Sequence, residues 1–273
     1  MQETTRIVAV VVLITCFTTT FTSRTFAQYS MEVIPDAQQL VLARGFSGTT
    51  LVLDQVGNTL YAGNAAFVDE RFIPASTFKV FSTLVALQSG VVANREAIIA
   101  WDGIERGRPE INRDLDLQTA FQLSAVPQFQ YMVRTIWAER MQPFLNAVNY
   151  GNRYMSGGID QFWLTGELRI SPREQIEFLA KLYAGDLPFR PEVMQEVREI
   201  MRSESAADFT IYSKTGWATL GESDHTGWWI GWVERSDKPF FFATVLQTTA
   251  PGEMFGPARL DITGQVLKQL RVL

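Results

Sequence analysis

Ser76 and Lys79 stand three residues apart in Pro74-Ala75-Ser76-Thr77-Phe78-Lys79, at the head of a stretch without Gly or Pro that predicts a helix over 76–88. Residues three apart share a helical face, so the hydroxyl and the amine can meet one turn apart. A serine hydroxyl is a weak nucleophile and needs an adjacent base to take its proton. A lysine can be that base only if its pKa falls, and burial among apolar groups lowers it by disfavouring the ammonium. The helix start adds unpaired N–H groups and a positive dipole end, which favour negative charge developing near Ser76. By itself S-x-x-K arises by chance about once in a chain of this length at average composition.

Three further motifs add weight. Lys214-Thr215-Gly216 falls at the end of a predicted strand, where glycine lets a ligand approach the backbone. Its lysine and threonine offer a charge and a hydroxyl to an anionic substrate. Ser124-Ala125-Val126 and Tyr150-Gly151-Asn152 lie between Ser76 and Lys214. Singly, each reads as a turn or a core contact; the four together in this order do not. The one histidine, His225, lies in the polar stretch 221–226 and reads as a surface-turn residue. With a single histidine there is no histidine cluster for a metal, and a Ser-His-Asp triad would have to run through that residue.

The elements that must position these groups are legible in outline. Thr49–Gln55 and Thr59–Asn64 read as a hairpin, and 208–214, 227–234 and 239–247 as aromatic, β-branched strands. Ser171-Pro172-Arg173-Glu174 combines a capping serine, proline at the first helical position and a capping-box glutamate. Helical patterns also fill 191–201 and 256–270. Strands, then helices, then strands and a closing helix predict an α+β fold. Its sheet is mostly antiparallel, with a helical part over about 71–205 inserted into the sheet part.

Composition bounds the rest. Arg6, the short apolar run Ile7–Phe17 and Thr25-Phe26-Ala27 predict a secretory signal peptide over 1–27, leaving a catalytic domain over 28–273. A net charge of -5 argues against nucleic acid and anionic lipid. The only cysteine, Cys16, lies inside that leader, so the mature chain has no disulfide. Secretion without disulfides fits a periplasm, with no stable membrane association after cleavage.

Beyond the four motifs, Trp101-Asp102-Gly103, Ser124-Ala125-Val126-Pro127, Gln161-Phe162-Trp163-Leu164 and Gly227-Trp228-Trp229-Ile230-Gly231-Trp232 complete the pattern. The set resembles the class D (oxacillinase-type) serine β-lactamases, within the wider penicillin-recognising family, from near residue 60 to near 260. The resemblance implies hydrolysis of β-lactam antibiotics, and hence resistance, through an acyl-serine intermediate. Ser76 would be the nucleophile and Lys79, as its N6-carboxylated derivative, the base in both acylation and deacylation. Carbon dioxide would be the only accessory group, with no metal. Trp163 would donate its indole N–H to that carboxylate, with Phe78, Val126 and Leu164 as apolar surroundings. Backbone N–H groups of Ser76 and Trp217 would form the oxyanion hole. Ser124 and Lys214 would relay protons, and Val126, Leu164, Thr215, Gly216 and Arg259 would line the substrate site, with Lys214, Thr215 and Arg259 on its carboxylate. Arg259 rests on the loosest match and reads nearly as well as a helix-surface arginine. Glu167 lacks the E-x-x-L-N setting of a class A deacylating glutamate and reads as a loop carboxylate. The same motifs in a penicillin-sensing receptor domain would leave the serine acylated, and a homodimer is open on either reading.

Overall fold

The computed structural model describes residues 29–236 and 238–273, so the leader predicted over 1–27 lies outside the described residues. Strand β1 (Ser30–Val33) and helix α1 (Pro35–Leu42) lead into the hairpin of β2 (Ser47–Asp54) and β3 (Thr59–Ala62). Helix α2 (Phe78–Gln88) follows, preceded by a 3₁₀ turn at Ala75–Thr77. A two-stranded ribbon, β4 (Ile98–Ile99) with β5 (Leu115–Asp116), precedes α3 (Leu117–Gln122), α4 (Val126–Ile136) and α5 (Ala138–Val148). Then come α6 (Pro172–Ala184), α7 (Pro191–Met201), β6 (Arg202–Ser205), β7 (Thr210–Leu220), β8 (Asp224–Arg235), β9 (Lys238–Thr248) and α8 (Phe255–Gln269).

The main sheet runs β1-β3-β2-β9-β8-β7-β6, and every neighbouring pair is antiparallel except β1 with β3. Successive strand side chains point to opposite faces. Trp228, Ile230 and Trp232 of β8 therefore join the large core built around α2 and α6. Trp229 and Val233 turn the other way, toward Val266 and Leu267 of α8. Covering both faces explains why β8 reads as an almost unbroken apolar run rather than an alternating one. The capping box at α6 forms as its residues predict: Glu174 N–H donates to Ser171 Oγ (3.2 Å) and Ser171 N–H to Glu174 Oε2 (2.9 Å).

Three local expectations are corrected. Ser76 sits in the 3₁₀ turn rather than in the α-helix, which begins at Phe78. Lys214-Thr215-Gly216 lies in the middle of β7, which runs on to Leu220 because every residue through Leu220 pairs with β8. His225 belongs to β8, paired with Thr219, and is half-buried rather than in a surface turn.

Candidate active site

The serine turn is held from several sides. Ala75 adopts φ +51°, a left-handed conformation that costs an ordinary residue about 1–2 kcal/mol. Its surroundings over-determine it: Ala75 N–H donates to Trp163 O (2.9 Å) and the Trp228 indole to Ile73 O (2.8 Å). Thr77 Oγ1 donates to Pro74 O (2.7 Å) and accepts from Gln175 Nε2 (2.8 Å) on α6. Strand β7 presses on this turn through Gly216. A Cβ there would lie 3.0 Å from Pro74 O and 3.1 Å from Thr77 Cγ2. The glycine thus serves the approach of the protein's own nucleophile turn.

Lys79 Nζ lies 2.8 Å from Ser76 Oγ, as the spacing predicts. The side chain is fully buried. Burial first, then the positive charges of Lys214 and Arg108, hold its pKa well below the usual lysine range. Its amine lies 5.1 Å from the ring centre of Phe129 on α4, a neighbour that sequence reasoning passed over. An i+3 step from Val126 places that ring on the same helical face, a signal available in the pattern.

Trp163 is fully buried and stacks on Phe78 at 5.3 Å between ring centres. Its indole nitrogen has no hydrogen-bond partner among the described residues. An indole N–H can only donate, and a buried donor left unpaired costs about 1–3 kcal/mol. The loop that carries it is clasped by Tyr150-Gly151-Asn152. Asn152 Nδ2 donates to Glu167 O (2.7 Å), and Asn152 Oδ1 accepts from Arg169 N (2.9 Å). Gly151, at φ +54°, lies so close that a Cβ would sit 2.0 Å from Arg169 O. Glu167 itself is exposed, as a loop carboxylate should be.

On the opposite wall Lys214 Nζ donates to Ser124 Oγ (3.1 Å) and to Thr215 O (3.0 Å). Ser124 also takes a left-handed φ of +54°, in the sharp step between α3 and α4. Lys214 is 4% exposed and lies over the Phe121 ring. Burial, then Arg259 and Arg108, lower its pKa to about 7. The charges acting on Lys79 and Lys214 are all positive, which suits an anionic ligand.

Arg259 is not a helix-surface residue. It is nine-tenths buried, and Nη1 donates to Gly216 O and to Trp228 O (3.3 Å), while Nε donates to Gly256 O (2.9 Å). Its guanidinium lies 5.7 Å from the Trp217 ring centre, and burial lowers its pKa to about 10. Val126, Leu164 and Thr215 are half-buried. Strand β6 pairs only with 210–212 of β7, so among the described residues no strand runs along the outer edge of the stretch through Lys214, Thr215 and Gly216. A cavity of about 520 Å³ opens there, lined by Ser213, Lys214, Thr215 and Phe121. Trp217 is 42% exposed, while Trp228, Trp229 and Trp232 are buried in the core.

The chain matches the family model described as the penicillin binding protein transpeptidase domain over residues 47–270. It is 38% identical over 203 residues to beta-lactamase OXA-10 of Pseudomonas aeruginosa, covering 74% of this chain and 76% of that one. It is 39% identical over 213 residues to beta-lactamase OXA-48 of Klebsiella pneumoniae, covering 78% and 79%. Among solved structures, the class D β-lactamase FUS-1 (OXA-85) from Fusobacterium nucleatum subsp. polymorphum superposes with a TM-score of 0.84 at 34% identity. That match covers 89% of this chain and 100% of the other. The class D β-lactamase YbXI from Nostoc gives 0.83 at 37%, covering 87% and 99%.

Proposed function

From the membership of this chain in the class D serine β-lactamases, we propose that it hydrolyses β-lactams from Ser76, with Lys79 working as its N6-carboxylated derivative. The observation that carries the second clause is the buried, unpartnered Trp163 indole beside the lysine helix. A carboxylate on the Lys79 nitrogen would give that donor an acceptor, and charge-assisted bonds are the stronger kind. The amine fits the modification: it is buried, its burial shifts it toward the neutral form, and a neutral amine is the form that adds carbon dioxide. Trp163 would hold the group, and when present it supplies a general base for Ser76 and for water.

The remaining residues divide the work. Ser76 Oγ, 2.8 Å from the Lys79 nitrogen, would give up its proton to the base carried on that nitrogen and attack the β-lactam carbonyl. The carbonyl oxygen takes the electron pair in a hole formed by the backbone N–H groups of Ser76 and Trp217. One such donor contributes about 2.7–4 kcal/mol in a well-studied protease. As the C–N bond breaks, Ser124 passes a proton to the departing nitrogen, resupplied by Lys214 at 3.1 Å. A pKa of about 7 suits Lys214 to give and recover a proton at neutral pH. Water then cleaves the acyl ester and frees Ser76. Arg259, Thr215 and Lys214 grip the substrate carboxylate, while Gly216, Val126 and Leu164 complete the cleft. We place the enzyme in the periplasm, delivered by the leader over 1–27.

The deciding experiment is hydrolysis of a chromogenic cephalosporin by the purified mature chain with and without bicarbonate. Turnover that rises with bicarbonate is expected. A stoichiometric burst without turnover would leave the serine acylated and refute hydrolysis. Ser76→Ala should lower kcat by roughly 10⁴-fold or more, as for other serine nucleophiles.

A further inference from the structure

His225 has no part in the mechanism above, yet it is bonded to a residue that does. The Trp217 Nε1–H donates to His225 Nδ1 at 3.2 Å, and Thr219 Oγ1 lies 3.0 Å from the same nitrogen. An indole nitrogen can only donate, so Nδ1 must be the bare nitrogen and the ring proton sits on Nε2. The antiparallel register makes the arrangement: Thr219 pairs with His225 and Trp217 with Gly227, putting all three side chains on one face of the β7–β8 ribbon. Phe255 closes that face, with its ring 5.0 Å from that of Trp217 and 6.3 Å from that of His225. The Trp217 ring in turn lies against the Arg259 guanidinium at 5.7 Å. Gly227 leaves the room: a Cβ there would come within 2.8 Å of Arg259 Cδ and of the Phe255 ring.

We infer that His225 is a positioning residue for substrate binding, whose Nδ1 anchors the Trp217 indole and thereby fixes the guanidinium of Arg259 that grips the substrate carboxylate. This rests on the reading of Arg259 given above. A side chain without an acceptor at this position would leave the indole N–H unpaired and free the ring, which is already 42% exposed. The charged groups around the imidazole are mixed. Asp224 precedes it on β8, while Glu70, Arg71 and Arg169 line with it a cavity of about 670 Å³ on its far side. Arg259 stands behind Trp217 on α8. The neighbours on β7 and β9, Thr219 and Thr248, are uncharged.

The test is steady-state kcat and KM for a penicillin at one mildly alkaline pH with saturating bicarbonate. Wild type is compared with His225→Gln, which keeps an acceptor, with His225→Phe, which has none, and with Arg259→Ala. His225→Phe should raise KM about fivefold, the equivalent of one neutral hydrogen bond, while His225→Gln should keep the wild-type value. The change falls on KM rather than on kcat. A wild-type KM in His225→Phe overturns the inference, as does a KM in His225→Gln raised as far as in His225→Phe. Should the phenylalanine variant not fold, His225→Leu, which also lacks an acceptor, takes its place. If Arg259→Ala leaves KM unchanged, the carboxylate reading itself fails; if it raises KM while the histidine variants do not respond, only the role of His225 falls.

Discussion

Lys79 and Trp163 each carry a cost that the other's chemistry offsets. A lysine amine buried without a carboxylate partner is forced toward its neutral form. A buried indole donor without an acceptor is a loss of about 1–3 kcal/mol. On the proposed mechanism, addition of carbon dioxide to the amine would relieve both, because it would offer the indole an acceptor. Trp163→Phe keeps the ring stack on Phe78 and removes only the N–H. We expect this variant to need roughly ten- to hundredfold more bicarbonate for half-maximal activity, the worth of one bond to a charged group. An unchanged bicarbonate dependence would remove the indole from the site. The acid side has a definite sign. As pH falls the amine takes a proton and the carbon dioxide is released, so activity should fade on acidification and return on neutralisation with bicarbonate. Loss without such recovery would point to another group. The Ser76–Lys79 meeting is legible from the three-residue spacing, whereas Trp163 enters only through the family resemblance. His225 was misread because its polar neighbours look like a turn, and only the β7–β8 register shows that it faces Trp217.

Elements place these residues through backbone contacts that composition does not announce. The hairpin, the α6 capping box and the closing helix follow from turn residues, caps and periodicity. The length of β7 does not, since Gly216 inside it imitates a strand end. Its purpose becomes clear only from the serine turn lying against it. The Tyr-Gly-Asn motif is similar: its asparagine and glycine clamp the loop that carries Trp163, a long-range pairing no local pattern reveals. Gly216→Ala tests whether this contact positions the nucleophile. The added methyl meets a backbone carbonyl, which cannot swing aside as a side chain can. Overpacking of this kind costs about 1–3 kcal/mol. At 3.0–3.1 Å the contact asks the turn to give by a few tenths of an ångström, less than the misplacement of about 1 Å that can lower a rate about 10²-fold. The expected variant is folded, modestly less stable and up to about tenfold slower in kcat. Wild-type kcat in a folded Gly216→Ala chain would show that the turn keeps its geometry without this contact.

The whole molecule registers the site through linkage. In the unfolded chain both lysines titrate near the ordinary value of about 10.4. In the fold Lys214 titrates at about 7 and Lys79 is lowered as well. Above those folded values and below about 10.4 the unfolded state binds more protons, so these two groups make stability rise with pH across that window. Below it their burial cost is fully present. Carboxylates with ordinary pKa values are ionised throughout and leave the sign unchanged. If Lys79 is carboxylated as proposed, bicarbonate would act on the same equilibrium from the other side, because only the folded chain buries the Lys79 amine and lowers its pKa. A ligand at a hundred times its dissociation constant stabilises the native state by about 2.7 kcal/mol. For a chain of this size each kcal/mol moves Tm by about 2–4 °C. Thermal unfolding at mildly alkaline pH should therefore shift upward by about 5–10 °C as bicarbonate is raised to saturation at constant ionic strength. Lys79→Met, which fills the same buried space without an amine, should unfold at a temperature independent of bicarbonate. A wild-type Tm equally insensitive to bicarbonate would mean that Lys79 stays unmodified, and the base for Ser76 would then have to be the bare amine.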